Sequence, residues 1–334
     1  MNEHIVWDGR WVGHHGIARF ATEVSRDLTV PVHRLGPGRI TPASPMDPVY
    51  LRSVLGAARC SLFVTPGFNA SLPGSYRQLL TVHDLIHLRV PGESSALKRV
   101  YYERIVRPAI RRSGRVLTGS EFTRRELAQW TGLPIERIVA VGYGCAIPVA
   151  STEEITAADR TSRDYVLVVG NAKSHKNLRL VFEALRHVPR DLHLETVGVP
   201  PEVITRLCEA ARVSVDRVKA HRILSDAELR GLYLRAACVA LPSTYEGFGL
   251  PALEGMAVGV ATAYVCDAVA EVVDQLGERA QDPRDARAYA DAMLRAASID
   301  PQRRQSLVQR AQLYAWPDVA ARVQAQIIGL AGQS

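Results

Sequence analysis

Glu246 and Glu254 stand on either side of G-F-G-L-P-A-L, so that two carboxylates bracket a glycine loop across seven residues. Upstream, the apolar run Ala236 to Leu241 reads as a short buried strand. Pro242, Ser243 and Gly247 to Gly249 break it into a loop, and Leu253, Met256, Ala257 and Val258 then resume helical spacing. At such a junction backbone N–H groups point at whatever fills the crevice, and glycine permits close approach of an anionic or hydroxyl-rich ligand. Ionised carboxylates only accept hydrogen bonds. Glu246 and Glu254 therefore suit hydroxyl groups, one set on a sugar and one on a ribose, rather than a phosphate. The plainer alternative is that Glu246 caps the loop and Glu254 is a solvated helix residue.

A second glycine loop, G-N-A-K-S-H-K-N-L from Gly170, follows the apolar stretch Tyr165 to Val169 and opens a helix on which Leu178, Val181, Phe182 and Leu185 keep the period. Lys173 and Lys176 place ammonium charges beside that helix start, an arrangement suited to a diphosphate. In the first half, L-L-T-V-H-D-L sets His83 and Asp84 just beyond an apolar strand, where a lone histidine is more often structural than chemical. W-V-G-H-H-G-I-A-R-F places Gly13, His14, His15, Gly16 and Arg19 before a helix carried by Ile17, Phe20, Val24 and Leu28. Adjacent histidines with no suitably spaced carboxylate make a poor metal site. There is also no D-x-D triplet, so neither a metal nor a cofactor is expected.

These loops need strands to carry them, and apolar runs alternate with amphipathic stretches in the manner of parallel sheets. Candidate strands are Ile5 to Trp7, Ser61 to Thr65, Leu79 to Val82, Arg115 to Leu117 and Ile138 to Val141 in the first half. In the second they are Tyr165 to Val169, His193 to Val197, Val218 to Ala220, Cys238 to Leu241 and Ala261 to Tyr264. The polar stretch 149–163 between the two sets reads as a linker. The expected fold is α/β: two doubly wound Rossmann-like domains, 1–148 and 164–312, facing across a cleft. A chain of 334 residues is long enough for two cores. No run of eighteen apolar residues occurs, and Met1 to Arg10 carries charges where a signal peptide needs an apolar core, so a cytoplasmic protein is expected. Five widely spaced cysteines fit neither a disulfide framework nor a zinc cluster.

The formal charge of +7 is uneven: residues 1–150 hold 19 Lys and Arg against 11 Asp and Glu, and the other 184 hold 22 against 23. Much of the excess falls in 98–115, where Lys98, Arg99, Arg104, Arg107, Arg111, Arg112 and Arg115 are interleaved with Tyr101, Tyr102, Ile105, Val106 and Ile110. A basic helix of this kind can lie on an anionic membrane surface, each charge near it adding about 1 kcal/mol. The alternative is a solvated face whose apolar side packs on its own domain, with Pro108 interrupting the helix. Aromatic residues make up only 6% of the chain and lack base-stacking spacing outside Tyr101 and Tyr102, which argues against nucleic acid.

The string E-G-F-G-L-P-A-L-E resembles the E-G-F-G-x-P-x-x-E signature of the retaining nucleotide-sugar glycosyltransferases of family 4, which have the GT-B fold. The resemblance implies that Glu246, Gly247, Phe248, Gly249 and Leu250 hold the donor sugar and Glu254 the ribose. It assigns Gly170, Asn171, Lys173, Lys176 and Gly16 to the donor side, with Lys176 the main phosphate cation because Asn171 stands where the family usually has arginine. T-V-H-D-L matches the family's T-x-H-D-L, implying that His83 helps bind the donor sugar and screens its developing charge while Asp84 fixes the loop. Gly13, His14, His15 and Arg19 fall where the family has a loop beside the diphosphate and acceptor. L-T-G-S-E-F-T, S-D-A-E-L and Y-A-W-P resemble the family's helix starts, Ser120 and Ser225 also making sense as caps by chemistry alone. The Y-A-W-P resemblance implies that 313–334 is a last helix crossing back to the first domain. After Glu254 the chain runs G-M-A-V-G-V-A-T-A, with Val260 and Ala261 in place of the usual small residue and proline, and Glu271 still suits a donor-facing loop.

G-N-x-K-x-H-K-N resembles a bacterial subgroup that transfers mannose or rhamnose in surface polysaccharides, which favours a GDP-sugar donor and a saccharide or lipid-linked saccharide acceptor. Catalysis is then expected from His83, Glu246 and Lys176, with the carboxylates positioning the donor rather than forming a glycosyl-enzyme. The alternatives are the same reaction with a UDP- or other nucleotide-sugar on a small acceptor, and a non-catalytic nucleotide-sugar or polyanion binder.

Overall fold

The computed structural model describes residues 4–13, 15–42, 44–159, 163–222 and 224–332. The chain divides into two units, Met1–Gly144 with Ala315–Ser334, and Cys145–Tyr314.

In the first unit β1 (Ile5–Asp8), β2 (His33–Leu35), β3 (Leu62–Thr65) and β4 (Arg77–Leu80) form a parallel sheet in the order β2-β1-β3-β4. β5 (Val116–Thr118) and β6 (Ile138–Ala140) pair in parallel beside it, tied to the strand end after β4 by a bridge from Thr81 to Leu117. Parallel strands are covered on both faces, so their residues are apolar in succession rather than alternately. β1, β3 and β5 are buried along their whole length. β2 was not expected from the sequence: H-R-L is short, polar and largely exposed, and only its ladder with β1 makes it a strand. The helix Trp316–Ala331 begins at the W-P pair as expected and packs in this unit against the helix Gly16–Asp27. Trp316 meets Phe20 edge to face at 6.2 Å, Arg322 Nε donates to the Val141 carbonyl at 2.8 Å, and Gln324 Oε1 accepts from the Thr29 amide at 2.7 Å.

The basic segment departs from expectation at Pro108. Helical structure runs on from Ala96–Tyr101 through a π-helical turn, Tyr102–Val106, into Arg107–Ser113. Proline lacks an N–H and its ring clashes with the carbonyl four residues back. The wider turn, closed by the Arg107 amide onto the Tyr102 carbonyl, removes that conflict and lets the helix continue.

The second unit holds β7 (Tyr165–Val169), β8 (His193–Val197), β9 (Val218–His221), β10 (Cys238–Leu241), β11 (Thr262–Tyr264) and β12 (Glu278–Arg279), all parallel, in the order β12-β11-β10-β7-β8-β9. β12, two residues long, carried no apolar signal. Residues 149–163, expected as a linker, hold the helix Thr152–Asp159, which lies within the second unit and is tied there by a bidentate pair from Arg230 to Glu154. Glu271, expected on a loop, lies on the helix Asp267–Val273. Both helix starts read as caps are built that way: Ser120 accepts from the Thr123 amide, and Ser225 and Glu228 form a reciprocal capping box. All five cysteines are free thiols. Among the described residues no helix is long and apolar enough to cross a membrane, and no cluster of three or more His, Cys, Asp or Glu is placed to hold a metal ion.

Candidate functional site

In an open parallel sheet, ligands bind outside the carboxyl ends of the strands where the strand order reverses. In the second unit the chain lays down β7, β8 and β9 in one direction, then returns to place β10, β11 and β12 on the other side of β7. The reversal falls between β7 and β10, which pair Cys238 with Val166 and Val239 with Leu167. The two glycine loops singled out in the sequence leave these two strands side by side.

The loops are bound to each other. Lys176 Nζ donates to Glu246 Oε1 at 2.7 Å, both side chains more than four-fifths buried. The Thr244 amide donates to the His175 carbonyl at 2.8 Å, and Asn177 Nδ2 donates to the carbonyls of Pro242 and Pro283 at 3.2 and 2.9 Å. Asn177 reaches them from a left-handed conformation, φ 48°, which asparagine tolerates. Between Gly170 and the helix Leu178–Ala184 lies a 3₁₀ turn, Ser174–Lys176, which turns Lys176 toward the β10 loop. Lys173 is exposed, and its amide donates to Asn171 Oδ1 at 3.3 Å in a local turn.

The helix Leu250–Ala257 starts at Gly249, whose φ of 109° favours glycine, and a Cβ there would come within 3.0 Å of Val269 Cγ2. Phe248 is buried against Tyr314 at 5.8 Å, so it offers a ligand its backbone and not its ring. Glu254 Oε2 accepts from the hydroxyl of Tyr233 at 2.6 Å. Burial pushes the Tyr233 hydroxyl well above its ordinary pKa, so it remains a donor that orients this carboxylate.

The first unit has its own reversal, between β1 and β3. After β1, Arg10 is buried between Asp8 and Asp47 at 2.7 and 2.5 Å, and Asn69 donates to both carboxylates while accepting from Trp11 Nε1 at 2.8 Å. This network fixes the loop that leads to Gly13. His15 is the N-cap of the helix Gly16–Asp27, its Nδ1 accepting from the Ala18 amide at 3.2 Å, and Gly16 is that helix's first residue. Arg19 lies one turn further along, its amide bonded to the His15 carbonyl. His14 lies outside the described residues.

His83 is buried with both ring nitrogens engaged, Nε2 with the Pro66 carbonyl at 2.7 Å and Nδ1 with the Tyr143 hydroxyl. Burial pulls its pKa down, and a carbonyl only accepts, so the neutral ring carries its proton on Nε2 and accepts at Nδ1. The expected contact of a ring nitrogen with donor sugar requires one of these bonds to break. Asp84 does fix its loop, accepting from the Ile86 amide at 2.9 Å.

Sequence reasoning gave no role to Thr244, Tyr233 or Tyr143, and read His175 only as part of its motif. His175 acts through its carbonyl, which accepts from the Thr244 amide and hydroxyl at 2.8 and 3.3 Å, while Tyr233 and Tyr143 arrive from elements distant in the chain, where no local spacing marks them.

Two family profiles match the chain: "Glycosyl transferase 4-like domain" over residues 10–144 and "Glycosyl transferases group 1" over 152–314. The chain is 26% identical to the O-antigen chain mannosyltransferase B of Escherichia coli across 71% of its own length and 66% of the relative's. It is 26% identical to the serotype-specific mannosyltransferase WbdA of Escherichia coli across 58% of its length. The chain thus spans less than two thirds of the first relative and 26% of the second. The structure is similar to that of HepE of Anabaena in complex with UDP and glucose, with a TM-score of 0.70 at 14% identity over 98% of this chain and 99% of that one.

Proposed function

The chain belongs to the family 4 glycosyltransferases of the GT-B fold, and from that premise we propose that it moves a mannose- or rhamnose-type hexose from a GDP-sugar to a saccharide or lipid-linked saccharide acceptor in surface polysaccharide or glycoconjugate synthesis. The observation that carries this reading is the Lys176–Glu246 contact at the strand-order reversal, which joins a cation suited to phosphate with a carboxylate suited to sugar hydroxyls. The O-antigen mannosyltransferases among its relatives support the sugar and the pathway class.

In this reading, breaking the bond from the anomeric carbon to the phosphate oxygen builds positive charge on the sugar ring and negative charge on the leaving diphosphate. Lys176 and the loop amides after Gly170 stabilise the second. Glu246 accepts from the sugar's hydroxyls and Glu254, oriented by Tyr233, from the ribose. Transfer is metal-independent and retains the anomeric configuration, the leaving phosphate taking the acceptor proton on the same face. The cations of 98–115, beside exposed Leu97 and Val100, support contact of this segment with an anionic membrane surface.

A thermal-shift panel of GDP, UDP, ADP and dTDP, each with its sugars, tests the donor assignment, because a ligand that binds only the folded state raises its melting temperature. GDP and its mannose conjugate are expected to stabilise most. The UDP-bound state of the similar HepE structure makes UDP the second reading, which stabilisation by UDP alone would select. A chain that none of the four shifts is not a nucleotide-sugar transferase.

A further inference from the structure

The first unit carries a cavity of about 260 Å³ lined by Leu85, Leu88, Arg89, Arg99, Glu103 and Trp130. Drug-sized ligand sites run about 300–1,000 Å³, so the occupant is one ring with its substituents. The floor is apolar: Leu85 is fully buried, and Trp130 packs against Tyr102 at 5.8 Å. The indole is locked in place, its Nε1–H donating to Glu103 Oε1 at 2.7 Å while Arg107 donates to the other carboxylate oxygen at 3.0 Å.

Glu103 lies in the π-helical turn, and Arg99, four residues earlier, shares its face of the helix. A π-turn holds one extra residue and rotates the following face by about 100°. The turn thus lets Arg99 and Glu103 face the cavity while Val106 and Ile110 stay in the core. Arg89 is paired with Glu126 at 3.0 Å, and Arg99 makes no ion pair among the described residues.

We propose that this cavity binds one hexose ring of a saccharide chain, its apolar face against Trp130 and Leu88 and its hydroxyls bonded to Glu103 and Arg99. Glu103 disfavours a phosphate, its bonds to Trp130 and Arg107 holding it below the ordinary carboxylate range, and with Arg99 it gives the wall both signs of charge rather than a cationic lining. Ionised carboxylate and guanidinium side by side offer acceptors and donors at once, which is what neighbouring hydroxyls of a neutral sugar require. The inference deepens the acceptor side of the function proposed above and rests on it only for choosing a saccharide over other polyols.

The test follows the Trp130 indole N–H signal by NMR in the full chain, assigned with Trp130→Phe, during titration with methyl hexopyranosides and disaccharides of the manno, gluco and galacto series. A parallel titration uses farnesyl phosphate. A saturable shift with at least one saccharide is expected, lost in Arg99→Ala and weakened at least severalfold in Glu103→Gln. Absence of any saccharide response overturns the proposal, as does a response to farnesyl phosphate alone or one that both variants leave unchanged. Thermal shifts with GDP, UDP, ADP and dTDP on the same samples separate the two readings. A Trp130 response without stabilisation by any of the four leaves this site standing and removes the transferase reading, and the reverse removes only this site.

Discussion

At the scale of single residues, Lys176 and Glu246 form a pair. The two were read from separate motifs, one for phosphate and one for sugar, and the 2.7 Å contact makes each the other's orienting group. In the proposed role Lys176 is the phosphate cation, and Lys176→Ala also leaves a mostly buried carboxylate uncompensated. A hydrogen bond to a charged group contributes about 1.5–3 kcal/mol, so titration calorimetry with GDP should show binding weakened about 10- to 100-fold. An unchanged affinity would remove Lys176 from the diphosphate site. The residues legible beforehand were those whose chemistry sits in a local string, from Gly170 to Asn177 and from Glu246 to Glu254. Tyr233 and Tyr143 were illegible because their partners, Glu254 and His83, lie 21 and 60 residues away and only the fold brings them together.

At the scale of elements, strands buried on both faces announce themselves as apolar runs, as β1, β3 and β10 do. The exposed edge strand β9 is legible through Val218 and Ala220, whereas among the described residues β2 and β12 are edge strands whose identity lies in their neighbours' hydrogen bonds. Pro108 was misread because local rules end a helix there, whereas a π-turn carries the helix past it. The sheet edge at β8 and β9 carries a pH dependence of its own. Glu195 is buried and accepts from His221 at 2.6 Å, with His193 and Lys219 at 3.3 Å. Burial raises its pKa, but the bonds from these bases outweigh it and hold the carboxyl below its ordinary 4.5. A carboxylate depressed in the folded state contributes stability that is present above the unfolded value and lost as pH falls through the folded one. Denaturation of Glu195→Gln should accordingly show a flatter loss of stability below about pH 4.5 than the parent chain. Parallel curves would mean that Glu195 adds nothing to acid sensitivity.

At the scale of the molecule, the chain leaves its first unit after Gly144 and returns to it at Ala315. The final helix completes that unit, covering Phe20 and satisfying the Thr29 and Val30 amides through Gln324. A chain ending at Tyr314 should lose the unfolding transition of the first unit or melt well below the parent in calorimetry; an unchanged profile would make the helix dispensable. In both units the strand order reverses beside a loop that the sequence singles out, which is where ligands of open parallel sheets bind. In the proposed function Glu246 reads the sugar of the donor and Lys176 its diphosphate. Calorimetric titration of GDP and GDP-mannose into the parent chain and Glu246→Gln separates the two roles. Because Glu246 also orients Lys176, the decisive quantity is the affinity for GDP-mannose relative to GDP, expected to fall about tenfold or more in the variant, the value of one charge-assisted hydrogen bond. The same ratio in both proteins would remove Glu246 from the donor sugar.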